Sequence, residues 1–370
     1  VIMNKYIKKL FSPLSINELE IPNRIVMAPM TRSKSPNSTP GEDVALYYKR
    51  RAENGVGLII TEGTTVDTPN SSDDINIPSF HGEEPLAGWK NVVENVHEVG
   101  GLIFPQIWHQ GTLRRAETTW NSDFPSWGPS GLGLVDKKVS EPMTLDQIEI
   151  SINAFVKAIY SARELGFDGA EIHGAHGYLL DQFFWEGTNV RNDDWGGISI
   201  DERTKFSTEI VKRSRQEVGN DFPIIFRFSQ WKQQDFSHKM AKTPDELGKF
   251  LINLSTAGVD CFHCSQRRFW NNEFEGSELN LAGWTKKLTK KPSITVGSIG
   301  LTEDFIETFK GKESKPTDIS GLLERLYEDE YDFVAIGRAL ISNPDWVSLV
   351  KNEEYDKIKI FTPKDLENLI

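Results

Sequence analysis

Cysteine is nearly absent: the 370 residues hold two, Cys261 and Cys264, in the run VDCFHC. Disulfides therefore contribute little, and a chain this long can bury a large core without them. A C-x-x-C spacing can mark a metal or redox pair. The run reads as a strand, however, where positions three apart point to opposite faces, so buried structural thiols and no metal are expected. So few thiols suit a reducing compartment. Long apolar runs are missing too: none approaches the roughly 18 residues of a membrane span. The N-terminal VIMNKYIKKLF lacks the apolar core and cleavage site of a secretory signal. A soluble, cytoplasmic protein is the expectation. Basic charge is scarce, with 42 Lys and Arg against 54 Asp and Glu and a formal net charge of −12. That argues against sequence-independent nucleic-acid binding, yet leaves room for a locally basic pocket holding an anionic ligand.

What recurs is a short, apolar, β-branched run. Eight are present: RIVMAPM (24–30), GLIITEG (57–63), LIFPQIW (102–108), DGAEIHG (168–174), PIIFRFS (223–229), VDCFHCS (259–265), SITVGS (293–298) and DFVAIG (332–337). Near-continuous apolar runs of this length suit strands buried on both faces. Amphipathic stretches separate them. TLDQIEISINAFVKAIYSARELG opens with Thr144 and Gln147 in capping-box spacing and closes at Gly166. Eight strands alternating with helices, and no Pro/Gly/Ser-rich linker, predict one TIM (β/α)8 barrel domain over residues 1–370. A doubly wound open sheet also alternates, but eight strands in one unit favour closure. Residues 4–23 read as an N-terminal β-hairpin capping the bottom of the barrel. Residues 109–143 form a long excursion after the third strand, expected over the C-terminal face where barrel active sites lie.

Polar residues gather at the C-terminal ends of these strands. The first is followed by Met30, Thr31 and Arg32; the second ends in Glu62 and Gly63; the third carries Gln106, Trp108 and His109. The fourth leads into EIHGAHGYLL, with His173, His176 and Tyr178, and the fifth carries Arg227 before Gln230. The seventh ends in Gly297-Ser298 and the eighth in Gly337-Arg338, whose backbone N–H groups and guanidinium suit a phosphate. Arg227 in the apolar IIFRFS needs an anionic or carbonyl partner, since an unpaired buried charge is costly. Either an ion pair with Glu171 or Glu62, or a negatively charged ring in the barrel mouth, would satisfy it.

RIVMAPMTRSKS, FPQIWHQG, EIHGAHGYLLDQFF, RNDDWGG, and VGSIG with AIGRALISNPDW together resemble the Old Yellow Enzyme family of FMN-dependent ene-reductases, in order over nearly the whole chain. The resemblance implies a barrel holding non-covalent FMN, with NAD(P)H as co-substrate and an α,β-unsaturated carbonyl or nitro compound as substrate. It implies that Pro29, Met30 and Thr31 line the flavin ring, and that Gly63 and Gln106 meet its pyrimidine edge. Arg227 would sit near N1, and Gly297, Ser298, Gly337 and Arg338 would take the phosphate. His173 and His176 would donate to the substrate carbonyl oxygen, and Tyr178 would protonate the α-carbon. The chain departs from the pattern in FFWEGTNVRNDDWGG and in RFSQWKQQD, where many members read RLSP or RVSP; both bear on the substrate. Thr31 replaces the Cys of one bacterial subgroup. Two cysteines cannot ligate the iron–sulfur cluster of larger relatives. A non-redox lyase or isomerase acting on a phosphorylated metabolite is the alternative, but it normally needs a lysine or metal cluster at the strand ends. No nucleic-acid or membrane partner is expected; a homo-oligomer is left open.

Overall fold

The computed structural model describes residues 2–115, 120–296 and 319–370. All eight apolar runs form strands: β1 (Ile25–Met27), β2 (Leu58–Thr65), β3 (Ile103–Trp108), β4 (Ala170–His173), β5 (Ile224–Ser229), β6 (Cys261–Ser265), β7 (Ser293–Val296) and β8 (Phe333–Ile336). Every neighbouring pair is parallel, and β8 pairs with β1 to close the barrel.

Successive side chains on each strand point to opposite sides. Val26, Leu58, Ile60, Phe104, Ile225, Cys261, Ile294 and Phe333 fill the barrel interior. Met27, Ile59, Ile103, Phe226, Phe262, Cys264 and Val334 face the surrounding helices. The two cysteines are therefore free, buried and on opposite faces, as the spacing predicts. The helix Leu145–Glu164 begins with the Thr144–Gln147 capping box, both reciprocal hydrogen bonds being present. Among the described residues no helix is long and apolar enough to cross a membrane.

The N-terminal expectation needs correction. The hairpin comprises only Leu14–Ile16 and Leu19–Ile21, preceded by a helix, Ile2–Leu10. The helix forms because Tyr6 and Leu10 recur one turn apart and bury together, Tyr6 edge-on to Tyr327 at 5.5 Å. The hairpin does plug the bottom of the barrel: Ile16 and Ile21 join the interior cluster, and Asn17 bonds to Asn220 O and Asp260, just before β5 and β6.

Candidate active site

At the opposite, C-terminal end of the strands lies a cavity of about 210 Å³. Pro29, Met30 and Thr31 enter it after β1, Gly63 from β2, Gln106 and Trp108 from β3. His173 at the end of β4, His176 and Tyr178 beyond it, and Arg227 on β5 complete the wall. Nine of these ten residues are the predicted ones. Trp108 is the addition; it fills the space a side chain at 63 would need, since a Cβ there would stand 2.5 Å from its Cε3. Glycine at 63 is thus required by packing, and the ladder shifts register between Ile60 and Gly63 to admit it.

The floor of the cavity is a buried polar network. Glu171 points into the barrel and receives Gln106 Nε2 at 2.9 Å and His263 Nδ1 at 2.6 Å. Because the carboxylate only accepts, Gln106 must present its amide nitrogen to it, leaving the amide oxygen for the cavity. Glu62, the other candidate partner of Arg227, is occupied by the backbone N–H groups of Arg32 and Ser33, and burial lifts its pKa to about 8. Arg227 consequently forms an ion pair with neither, among the described residues. Its guanidinium is buried, and among the described residues its Nε has no hydrogen-bond partner, nor has Trp108 Nε1. Burial lowers the Arg227 pKa, with Glu171 and Tyr178 opposing. A buried donor left bare costs free energy unless a bound group supplies the acceptor.

The turn after β4 carries the other three polar residues. His173 Nδ1 accepts the Ala175 amide at 3.2 Å, so its proton resides on Nε2. His176 adopts φ +65 and Gly177 φ +84, two consecutive left-handed residues. Such a turn persists only when its surroundings hold it. Here Ser229 Oγ accepts the His176 amide at 2.9 Å, Ser265 Oγ meets His176 Nε2 at 2.6 Å, and Asp181 accepts the Gly177 amide at 2.8 Å. Burial, then the nearby Arg227, holds both histidines well below their ordinary pKa, so each is neutral and has one N–H to donate. The two rings lie 5.3 Å apart, and the Tyr178 ring is 5.0 Å from His173. Burial raises the Tyr178 pKa, so the phenol keeps its proton at neutral pH.

Other strand-end residues serve elsewhere. His109 is turned away, bonded to Thr68 and the Gly111 amide and stacked on Trp127. Arg32 reaches the carbonyls of Leu366 and Asn368, and Gln230 ties Ala241 to Glu273. Gly337 stands beside the cavity, a Cβ there lying 3.5 Å from Met30 Sδ. Arg338 is exposed, its guanidinium 5.2 Å from the Phe361 ring. Gly297 and Ser298 lie outside the described residues. A larger, more open cleft of about 680 Å³ between Asn192 and Ala257 contains none of these groups. Sequence reasoning named Trp108 at its strand end without giving it a role in the site, and missed the Glu171–His263 pair and the buried pair Lys232–Asp181 at 2.5 Å. The odd segment SQWKQQD was the available signal for the last.

Comparison with known proteins follows the same line. The family model described as "NADH:flavin oxidoreductase / NADH oxidase family" matches residues 9–357. The NADH oxidase of Thermoanaerobacter brockii is 34% identical over 359 residues, covering 95% of this chain and 52% of that protein. The chain thus spans about half the length of that relative. The 12-oxophytodienoate reductase 1 of Oryza sativa subsp. japonica is 31% identical over 348 residues, covering 91% of this chain and 84% of that protein. The structure of morphinone reductase in complex with tetrahydroNAD superposes with a TM-score of 0.79 at 27% identity, covering 96% of this chain and 93% of that one.

Proposed function

This chain belongs to the NADH:flavin oxidoreductase / NADH oxidase family, an FMN- and NAD(P)H-dependent oxidoreductase class, and from that premise we propose that it reduces the C=C bond of α,β-unsaturated carbonyl compounds. The observation that carries the reading is the meeting of two neutral histidines and a phenol in one cavity whose wall includes a buried arginine with its Nε unpartnered among the described residues. The residues fit a flavin: Gln106 offers an acceptor and Arg227 a donor, with Pro29, Met30, Thr31 and Gly63 around them. Gly337 and Arg338, with Gly297 and Ser298, are proposed to hold its phosphate. When bound, FMN reduced by NAD(P)H supplies the hydride to the β-carbon.

The chain's own residues do the rest. His173 and His176 donate N–H groups to the carbonyl oxygen, where negative charge develops as the enolate forms. Donors fixed before the reaction stabilise that charge without reorganising, and a single one is worth about 3–4 kcal/mol elsewhere. Neutrality matters here: a neutral imidazole donates without surrendering its proton to the oxygen. Tyr178 then delivers its proton to the α-carbon, an acid of raised pKa suited to a strongly basic carbanion. Nitro compounds and quinones, with similar acceptor oxygens, are further candidate substrates. No nucleic-acid or membrane partner enters this scheme. The whole chain acts as one barrel domain in this reading.

The test is the double variant His173→Ala with His176→Ala. It should retain FMN and its yellow colour yet lose about 100-fold or more in enone reduction, the loss of one to two such donors. Unchanged enone turnover with full flavin occupancy would remove the histidines from the chemistry.

A further inference from the structure

Three consecutive residues beyond β5 each engage the turn that carries His176 and Tyr178. Trp231 stacks on the His176 ring at 4.5 Å and donates its indole N–H to Ser265 O at 3.1 Å. Lys232 is buried and pairs with Asp181, which holds the Gly177 amide. Gln233 donates its backbone N–H to His176 O at 3.3 Å and its side-chain Nε2 to Tyr178 Oη at 2.9 Å. Only this last contact touches an atom to which the proposed reaction assigns a proton.

A phenol has one proton to give and accepts through its oxygen lone pairs. With the Gln233 amide donating to that oxygen, the O–H is directed away from Gln233. Tyr178 Oη has no other hydrogen-bond partner among the described residues. Trp108 and His173 pack edge-on against its ring, each at 5.0 Å, and the residue lines the cavity. The proton is therefore left to the cavity. We infer that Gln233 is a positioning residue for the α-carbon protonation, its amide holding the Tyr178 oxygen so that the O–H faces the substrate and stabilising the phenolate as the proton leaves. The step balances: the Tyr178 O–H bond breaks and its electron pair stays on oxygen as phenolate, while the C=C pair of the enolate forms the new C–H bond at the α-carbon and the C=O bond is restored. This rests on the reading of Tyr178 as proton donor. Gln233 is exposed, so replacing it should leave the fold intact.

The experiment compares the wild-type FMN-loaded enzyme with Gln233→Leu, Gln233→Glu and Tyr178→Phe. Rapid mixing measures flavin reduction by NADPH and flavin reoxidation by 2-cyclohexenone separately, in H2O and D2O. Both Gln233 variants should slow the enone half-reaction by about five- to tenfold, the factor for one neutral hydrogen bond, with a larger solvent isotope effect. Flavin reduction should be unchanged. The Glu variant matters because it keeps the shape of glutamine but replaces the donor with an acceptor. The tyrosine Raman doublet, isolated by difference from Tyr178→Phe, should lose its acceptor character in both Gln233 variants, with or without flavin. If both Gln233 variants match the wild type while Tyr178→Phe is slow, the inference fails and the reading of Tyr178 survives. Equal slowing of both half-reactions would also overturn it. If Tyr178→Phe itself leaves the enone half-reaction untouched, the reading of Tyr178 falls and this inference with it.

Discussion

Replacing Lys232 with methionine should destabilise the protein in a way that depends on pH. Lys232 and Asp181 are both 0% exposed and 2.5 Å apart, so the substitution leaves a carboxylate buried without its partner. Breaking a buried pair from one side costs about 3–5 kcal/mol. For 370 residues, at about 2.1 cal/mol/K of unfolding entropy each, that lowers Tm by about 4–6 °C. Burial already pushes the Asp181 pKa up, and Lys232 opposes that push. Without the lysine the folded pKa rises further above the unfolded value of about 3.9. A folded pKa above the unfolded one means that the native state holds the proton longer, so stability declines as pH rises between the two. The slope is about 1.4 kcal/mol per pH unit. The penalty should therefore be small near pH ~4 and complete only near neutrality. Thermal unfolding of wild type and Lys232→Met, followed by circular dichroism at about pH 4.5 and pH 7.5, measures it directly. Adding Asp181→Asn to the variant should abolish the pH dependence. A loss of the same size at both pH values would refute the reasoning, because Asp181 would then not be the stranded charge.

Two further outcomes are expected. Arg227→Met removes a buried guanidinium whose Nε has no partner among the described residues, so the flavin-free protein should be no less stable, or slightly more, while FMN binds about tenfold or more weakly; parallel melts and an FMN titration would show it, and undiminished affinity would count against Arg227 as a flavin contact. His109, held at a pKa of about 3 by burial and then by Arg114, takes up its proton first in the unfolded state as pH falls below about 6.5, and so should lower stability by about 2 kcal/mol at pH ~5. His109→Gln should flatten that acid limb of the stability curve; an unaltered slope would place the titration elsewhere.

Much of the barrel was legible because its signals are local. A strand buried on both faces reads as an apolar run whatever it packs against, and all eight runs became strands. The cavity was nearly as legible, since closing a barrel brings every strand's C-terminal end to one rim. Pro29 and Arg227, almost two hundred positions apart in sequence, line the same space for that reason alone. Capping of the helix Leu145–Glu164 was likewise written in two residues three apart. The N-terminal helix was missed because a short amphipathic stretch is ambiguous until its partner, the helix Ile319–Tyr327, is in place.

What only the tertiary structure decided is which partners the buried polar groups take. Nothing near Glu171 in sequence says that it serves Gln106 and His263 rather than Arg227, because those contacts span 65 and 92 residues. Nor does EIHGAHGYLL contain the reason its strained turn holds: Ser229, Lys232, Gln233 and Ser265 come from two other strands and a loop. Hydrophobic pattern is a property of each segment and survives in the sequence. The pairing of polar groups is a property of distances that exist only once the chain has closed.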